Sequence, residues 1–339
     1  MRWDDGLPFL LRYENIAWYQ DGVVRILDRR SYPIRVEYVT CTQYADVVAA
    51  IRDMVTQSGG PPTAVCMGMA LAAYQCRHQS AENQLQFLNS AAHAFSHARP
   101  TTSAALLRAA AGCLSVAEKA LLEGADVPAA IHAHGVQALD EKYRLYHTIG
   151  RHLATTFPQN GTIMTQCFGE TIVGTMLLAC RENKNAIRVI CPETRPYLQG
   201  ARLTASCVSE MGFDATVITD NMPGYVLKDQ GVDVFTSAAD VITMDGHVIN
   251  KIGTFQIALC AHHYGIPYYV TGQPDTAHPS PDSVVIEQRD PAQTTQVLGI
   301  STVLPGVKGY YPAFDITPPT MVTGIVTEAG ILSPHRLLP

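Results

Sequence analysis

At 339 residues the chain is longer than one hydrophobic core usually organises, which sets an expectation of two domains. Hydrophobic residues make up 47% and charged residues 16%, a balance that excludes disorder and fits extensive buried surface. The formal charge of -6, from 24 basic and 30 acidic residues without like-charge blocks, excludes an electrostatic footprint for nucleic acid or an anionic membrane and leaves a small molecule as the expected ligand.

In chain order, the start "MRWDDGLPFLLRYENIAW" has early acidic residues and no long apolar core, and no apolar run reaches about 18 residues, so neither export nor a membrane span is expected. Residues 10–40 alternate apolar and polar positions around "QDG" and "RSYP", which predicts a small antiparallel sheet. From Tyr44 to Thr155 apolar residues recur every third or fourth position in alanine- and leucine-rich stretches, broken at "SGGPP" and "ARPTTS"; this predicts a helical layer. After "FPQNG" the chain alternates Ile/Val-rich strands with helical stretches: "TIMTQC" then "ETIVGTMLLACREN", "AIRVICP" then "GARLTASCVSEMG", "ATVITD" then "PGYVLKDQG", and "VDVFTSAAD", a "TMDGHV" turn, then "NKIGTFQIALCAHHYG" before "PYYVTG". That alternation is the pattern of βαβ units and a doubly wound parallel sheet. The expected fold is therefore α/β, with an N-terminal β-hairpin and helical domain over 1–155 and a doubly wound parallel-sheet domain over 156–339. Short strands are also expected in "SVVIEQRD" and in "TVLPGVKGYYPAFDITPP" near the C-terminus.

Nine cysteines stand without a CxxC pair, several inside apolar runs, which reads as reduced thiols in a cytoplasmic protein rather than a disulfide framework or a zinc site. No GxGxxG follows a strand, "GETIVGT" lacks the lysine of a phosphate loop, and twelve histidines form no HExxH, so no dinucleotide, organic cofactor or metal is expected.

In an open parallel sheet, ligands bind beyond the carboxyl ends of the strands, where helix N-termini also point. Four polar features fall there. Cys167 follows "TIMTQ", and the dipole of the helix after it would lower its pKa; the alternative is one more buried thiol. Asp240 ends "VDVFTSAA" as a general acid or base, or as a turn aspartate. Gln199 and Gly200 open a helix after "CPETRPYL", offering backbone N–H groups and an amide to phosphate oxygens; otherwise this is a plain helix start with Arg195 and Arg202 in surface ion pairs. Asn250 precedes a helix as a candidate N-cap, with Lys251 adding positive charge at the same end. Arg99, in "HARPTTS", is either a solvated loop residue or a group reaching a ligand.

The segments "ETRPYLQGARLTA", "AADVITMDGHVINKIGTFQIA" and "GVKGYYPAFDITPPTMVTGIVTEAGIL", with "IAWYQDGVVRILDRRSYP" near the start, resemble the methylthioribose-1-phosphate isomerases. These are kin to regulatory subunits of the initiation factor that exchanges guanine nucleotide. The resemblance implies a small N-terminal sheet, a helical layer and a Rossmann-like catalytic domain over 156–339, in a homodimer that isomerises an aldose 1-phosphate to a 2-ketose 1-phosphate without metal or organic cofactor. It implies Asp240 as the acid, Cys167 as the catalytic cysteine, and Gln199, Asn250, Lys251 and Arg99 as phosphate- and sugar-binding residues. The family usually carries Arg-Gly-Ala-Pro in the loop after its first long helix, with the arginine on the substrate phosphate. Here the loop reads "QSGGPPT", Gln57 to Thr63, so Ser58, Gly59 and Gly60 occupy that place without the cation. Gln166 and Phe168 flank Cys167 where the family has histidine and asparagine, and Glu170 adds a nearby carboxylate. The leading substrate is 5-methylthio-D-ribose 1-phosphate; a related ribose 1-phosphate, or a non-catalytic metabolite-binding homologue, is the alternative.

Overall fold

A computed structural model describes residues 2–99 and 103–337, without the side chains of Ser103 and Thr171. Part of the "ARPTTS" break therefore lies outside the described residues. Two compact units divide the chain, Met1–Leu145 and Tyr146–Pro339. The division falls inside a long helix, upstream of residue 155.

In the N-terminal unit, strands β1 (Trp18–Gln20), β2 (Val23–Leu27) and β3 (Tyr38–Cys41) form an antiparallel sheet. The β1–β2 turn is Asp21–Gly22, with φ of 50° and 81°. Two left-handed residues in a row give the twist that a tight hairpin needs. Five helices follow: α1 (Tyr44–Arg52), α2 (Gly60–Cys76), α3 (Ala81–Ser96), α4 (Ser103–Glu123) and α5 (Val127–Ala154). Helix α2 is apolar around its whole circumference and almost every residue is buried, so it is the axis of the unit rather than a surface helix. Gly68 on α2 sits against the Phe95 ring. Behind the sheet Tyr13 meets Tyr143 edge to face at 4.9 Å, and the Tyr143 hydroxyl donates to Leu11 O at 2.7 Å.

The C-terminal unit contains β4 (Thr162–Met164), α6 (Glu170–Glu182), β5 (Arg188–Pro192), α7 (Ala205–Glu210), β6 (Asp214–Ile218), α8 (Pro223–Asp229) and β7 (Val234–Ala238). The chain continues through β8 (Val241–Ile242), β9 (Val248–Lys251), α9 (Thr254–His263) and β10 (Tyr268–Thr271). It ends with β11 (Gln296–Val297), β12 (Ile300–Ser301), β13 (Phe314–Thr317), β14 (Gly324–Thr327) and β15 (Gly330–Leu332). A seven-stranded sheet has the order β15-β14-β10-β7-β4-β5-β6. Its pairings are parallel except for β14 with β15. From β4 the chain winds outward through β5 and β6, then returns to the other side for β7, β10 and β14. This is the Rossmann order, with its switch point between β4 and β7. The central strands are buried on both faces, which explains their unbroken apolar sequences.

A separate antiparallel sheet, β13-β9-β8, accounts for "VINK" and "FDIT". The strand expected in "SVVIEQRD" is instead an extended segment joined to Tyr311–Ala313 by a single bridge, Gln288 to Pro312, with Arg289 N donating to Tyr311 O at 2.9 Å and Ala313 N to Glu287 O at 2.8 Å. The stretch after β5 also departs from a simple helix. It begins with a π-helical turn, Gly200–Thr204, before α7. Gly200 makes this possible: a Cβ there would lie 1.8 Å from Pro192 O and 2.9 Å from Thr194 Oγ1.

Replacing Gly200 by Ala should therefore destabilise the C-terminal unit by about 3 kcal/mol, because the clash is with backbone. Gly212 has φ +81° but open space around it, so Gly212→Ala should cost only about 1 kcal/mol, from the left-handed backbone alone. Urea unfolding of the two full-length variants reads the difference, and equal losses would refute the steric account.

Candidate active site

Ile163 pairs with Val234 and Met164 with Phe235, so the chain leaves the sheet at two adjacent points, Thr165–Cys167 and Ala239–Asp240. The two residues singled out as acid and thiol lie beyond the ends of these neighbouring strands, and Asp240 is near enough for its charge to act on the Cys167 thiol. Cys167 is half-buried and left-handed, with φ 58°. A non-glycine residue in that region costs about 1 kcal/mol or more and persists only where its surroundings fix it. Here they do: its N–H donates to Thr194 Oγ1 at 3.1 Å, and its carbonyl accepts from Thr204 Oγ1.

The expected lowering of the Cys167 pKa is absent. Burial pushes the thiol up to about 11; Lys251 pulls it down, and Asp240 adds a smaller upward push. Desolvation outweighs the positive charge nearby. The group is a protonated thiol at neutral pH. Asp240 is exposed, and its N–H donates to Ile249 O at 2.9 Å. Glu170, the first residue of α6, is buried.

The loop after β5 is pinned by one carboxylate. Asp220 accepts from the N–H groups of Thr194 at 2.8 Å and Arg195 at 2.6 Å. The Arg195 guanidinium donates to the carbonyls of Gln293, Gln296 and Pro196. Arg202 is buried and donates to Tyr197 O. Both guanidinium groups donate to backbone carbonyls, and Arg202 is buried rather than at the surface. Gln199, at the head of the π-helical turn, is 5% exposed, and its Oε1 has no hydrogen-bond partner among the described residues.

Asn250 and Lys251 do not stand at a helix N-terminus. They belong to β9, opposite Asp315 and Phe314 of β13, and α9 begins at Thr254. Its first turn is capped across the sheet by Asp315, which accepts from Gly253 N at 2.7 Å and Phe255 N at 3.1 Å. Burial lifts the Asp315 carboxyl to about 6 against these two bonds. With the cap supplied from β13, Asn250 is released to donate to Thr254 Oγ1 at 3.0 Å. Lys251 is 4% exposed, and its Nζ has no hydrogen-bond partner among the described residues. The ammonium lies 4.9 Å from the Phe314 ring centre and 5.7 Å from that of Tyr311. Burial, then the Arg289 cation, lower its pKa to about 8. A buried ammonium without an oxygen partner is costly, and an anion would relieve that cost.

Sequence reasoning missed Arg289, Tyr311 and Asp315. Arg289 is buried, bonded to Glu287 Oε1 at 2.9 Å, and its guanidinium faces the rings of Tyr197 and Phe314. Tyr311 and Asp315 lay within the quoted "GYYPAFDITPP", whose aromatic density beside an Asp was a usable signal; Arg289 had none, since its segment was read as a strand.

In the N-terminal unit, Ser58 is left-handed at φ 56°, Gly59 is half-buried, and Gly60 is the buried first residue of α2. Arg99 is only 8% exposed, so it is not the solvated loop residue that its sequence context also allowed.

A set of this kind, with a protonated thiol, a carboxylate at the rim, two buried cations and an orphaned amide oxygen, suits proton transfers on a small anionic ligand. The profile described as "Initiation factor 2 subunit family" matches residues 57–334. The methylthioribose-1-phosphate isomerase of Chloroflexus aurantiacus is 36% identical over 335 residues, covering 95% of this chain and 96% of its own. Methylthioribose-1-phosphate isomerase 1 of Pseudothermotoga lettingae is 34% identical, with 94% of each chain covered. Among solved structures, 5-methylthioribose 1-phosphate isomerase from Pyrococcus horikoshii OT3 aligns with a TM-score of 0.83 at 26% identity, over 95% of this chain and 93% of that one. Translation initiation factor eIF-2B subunit delta from A. fulgidus aligns with a TM-score of 0.82 at 28% identity, over 94% and 96%. The chain belongs to the initiation factor 2 subunit family and, within it, to the methylthioribose-1-phosphate isomerases.

Proposed function

We propose that the protein isomerises an aldose 1-phosphate to the 2-ketose 1-phosphate, with 5-methylthio-D-ribose 1-phosphate as the leading substrate, the conversion that serves methionine salvage. The observation that carries this reading is the emergence of Cys167 and Asp240 together at the switch point, beside the buried ammonium of Lys251. Relatives that carry this activity in their names support it.

Phosphate on O1 blocks the free hemiacetal, so the ring opens only with a proton on its oxygen. Asp240 supplies that proton as the C1–ring oxygen bond breaks. Cys167, whose thiolate becomes accessible through the Lys251 charge, takes the proton from C2 and returns it at C1. The carboxylate of Asp240 then accepts the O2 proton as the C2 carbonyl forms. Both groups end as they began, and no oxidant is consumed. In the C-terminal unit Gln199, Asn250 and Lys251 hold the sugar and its phosphate; Arg99, Ser58, Gly59 and Gly60 are the ligand-binding candidates of the N-terminal unit. In the alternative hydride route, hydrogen passes directly from C2 to C1 and Cys167 only flanks it.

A non-catalytic metabolite-binding role is the second reading, favoured by the likeness to the A. fulgidus subunit and by the loop without its arginine. We also infer a cytoplasmic homodimer. Nine free cysteines support a reducing compartment. Exposed Met222 and Tyr225 near α8, and Phe255, Leu259 and Tyr264 near α9, support self-association. A single monomeric species in sedimentation at micromolar concentration would remove the dimer.

Wild-type protein with the sugar 1-phosphate in deuterated water should yield the 2-ketose by NMR, with solvent deuterium at C1 if the proton route holds. Asp240→Asn should fold normally and lose about 100-fold or more in kcat; undiminished turnover would overturn the assigned acid, and binding without any conversion by the wild type would favour the second reading. Lys251 is charged below its pKa of about 8, so phosphate affinity should be full below pH 8 and fall by up to about tenfold per unit above it. Titration calorimetry with inorganic phosphate should show that slope in the wild type and a flat, weaker profile in Lys251→Met; identical profiles would separate Lys251 from the anion.

A further inference from the structure

Two adjacent tyrosines before β13 are placed oppositely by the fold: Tyr310 is 74% exposed and Tyr311 only 2%. The backbone fixes this choice. Arg289 N donates to Tyr311 O at 2.9 Å and Ala313 N to Glu287 O at 2.8 Å, with Pro312 bridged antiparallel to Gln288 between them. On this support the centre of the Tyr311 ring lies 6.3 Å from that of Tyr197 and 5.7 Å from Lys251 Nζ. The Tyr311 hydroxyl is buried and has no hydrogen-bond partner among the described residues.

A buried hydroxyl without a partner is disfavoured, and phenylalanine would fill the same space without that cost. Where a folded chain keeps such a group, its hydrogen bond is made to something the fold itself does not supply. The surroundings restrict what that bond can be. Burial raises the phenol's pKa, Arg289 pulls it back in part, and negative charge on Cys167 adds a smaller upward push. The group therefore keeps its proton at neutral pH and serves as a donor rather than a base. That push also sets the phenol within electrostatic reach of the thiol. A buried cation without an oxygen partner, Lys251, and a buried neutral donor, Tyr311, thus stand beside Cys167, contributed by two separate segments of the chain.

We propose that Tyr311 is a further catalytic residue, whose hydroxyl donates a hydrogen bond to O2 of the sugar. Cys167 works on the hydrogen of C2, and the oxygen on that carbon is the one whose charge changes most. Loss of the C2 proton forms the C1–C2 double bond as the C1–ring oxygen bond breaks, leaving an enol with its hydroxyl on C2. When O2 gives its proton to Asp240 and C1 takes one from Cys167, the double bond passes to C2–O2, and O2 carries enolate charge on the way. A fixed donor at O2 stabilises that charge, and the phenol keeps its own proton throughout. The same contact selects substrates. A 2-deoxy sugar 1-phosphate would leave the Tyr311 hydroxyl buried and unpartnered, so the site discriminates in favour of a 2-hydroxy sugar. This inference rests on the sugar-phosphate reading above.

The test compares full-length wild type with Tyr311→Phe, which removes only the hydroxyl. The ligand-free variant should melt at or above the wild-type temperature, because no bond within the protein is lost; a clearly lower melting temperature would place the hydroxyl in a structural bond and overturn the proposal. Calorimetry with ribose 1-phosphate and 2-deoxyribose 1-phosphate then reads the contact. The variant should bind ribose 1-phosphate about fivefold to tenfold more weakly than the wild type, and 2-deoxyribose 1-phosphate equally well. Aldose and 2-ketose both carry an oxygen on C2, so turnover during the titration does not alter the comparison. The kcat for the sugar 1-phosphate should fall about 100-fold. Equal losses of affinity for the two sugar phosphates, or an undiminished kcat, overturn the assignment. If the wild type binds ribose 1-phosphate and converts none of it, the proposed function fails while the contact to O2 is still read by the two affinities. A wild type that binds both sugar phosphates equally overturns the contact whether or not it isomerises.

Discussion

The parallel pairing of β4 with β7 is the constraint from which the chemistry of the C-terminal unit follows. Beyond Met164 and Phe235 the two strands no longer pair, and a crevice opens between chain segments that share no ladder. Into that gap the sequence inserts a thiol from one side and a carboxylate from the other. Neither Cys167 nor Asp240 is close to the other in sequence, and neither would be informative alone. The sheet order makes them a pair. The left-handed turn at Cys167, tied by Thr194 and Thr204, then fixes which way the thiol looks.

Burial sets the protonation state here, and charge only adjusts it. Cys167 and Lys251 are each moved away from their charged forms by desolvation, and each is partly drawn back by the other. A free thiolate would react with any electrophile that entered; burial keeps this thiol protonated. The aromatic walls supplied by Phe314, Tyr311 and Tyr197 serve both sides of this balance. They exclude water, which raises the cost of charge, and they offer ring faces to Lys251 and Arg289, which lowers it.

Much of this was legible in the sequence. The alternation of Ile/Val runs with short helical stretches carried the parallel sheet, and the rule that ligands sit beyond strand ends selected Cys167, Asp240 and Gln199. The errors have physical causes. Asn250 and Lys251 looked like a helix cap because "NKIGTFQIA" has a cap-like residue before an apolar helix; the actual cap, Asp315, arrives from a strand more than 60 residues away, and no local pattern encodes that. The Cys167 pKa was misread because the helix dipole is a sequence-visible effect whereas desolvation is set by everything packed around the thiol. The full burial of Arg29 was invisible for the same reason. In "LDRRSYP" it is one of two adjacent arginines, and only the fold sends Arg29 inward while Arg30 pairs with Asp28 at 2.8 Å near the surface.

The double hold of Asp220 on Thr194 and Arg195 separates the loop after β5 into two classes of position. The loop's path depends on a carboxylate that no substrate need touch, while Tyr197 and Gln199 lie downstream of that anchor. Substitution at Asp220, Thr194 or Gly200 would unseat the loop, whereas the side chains of Tyr197 and Gln199 take no part in the Asp220 anchor. The loop's path and the side chains it presents can therefore change independently.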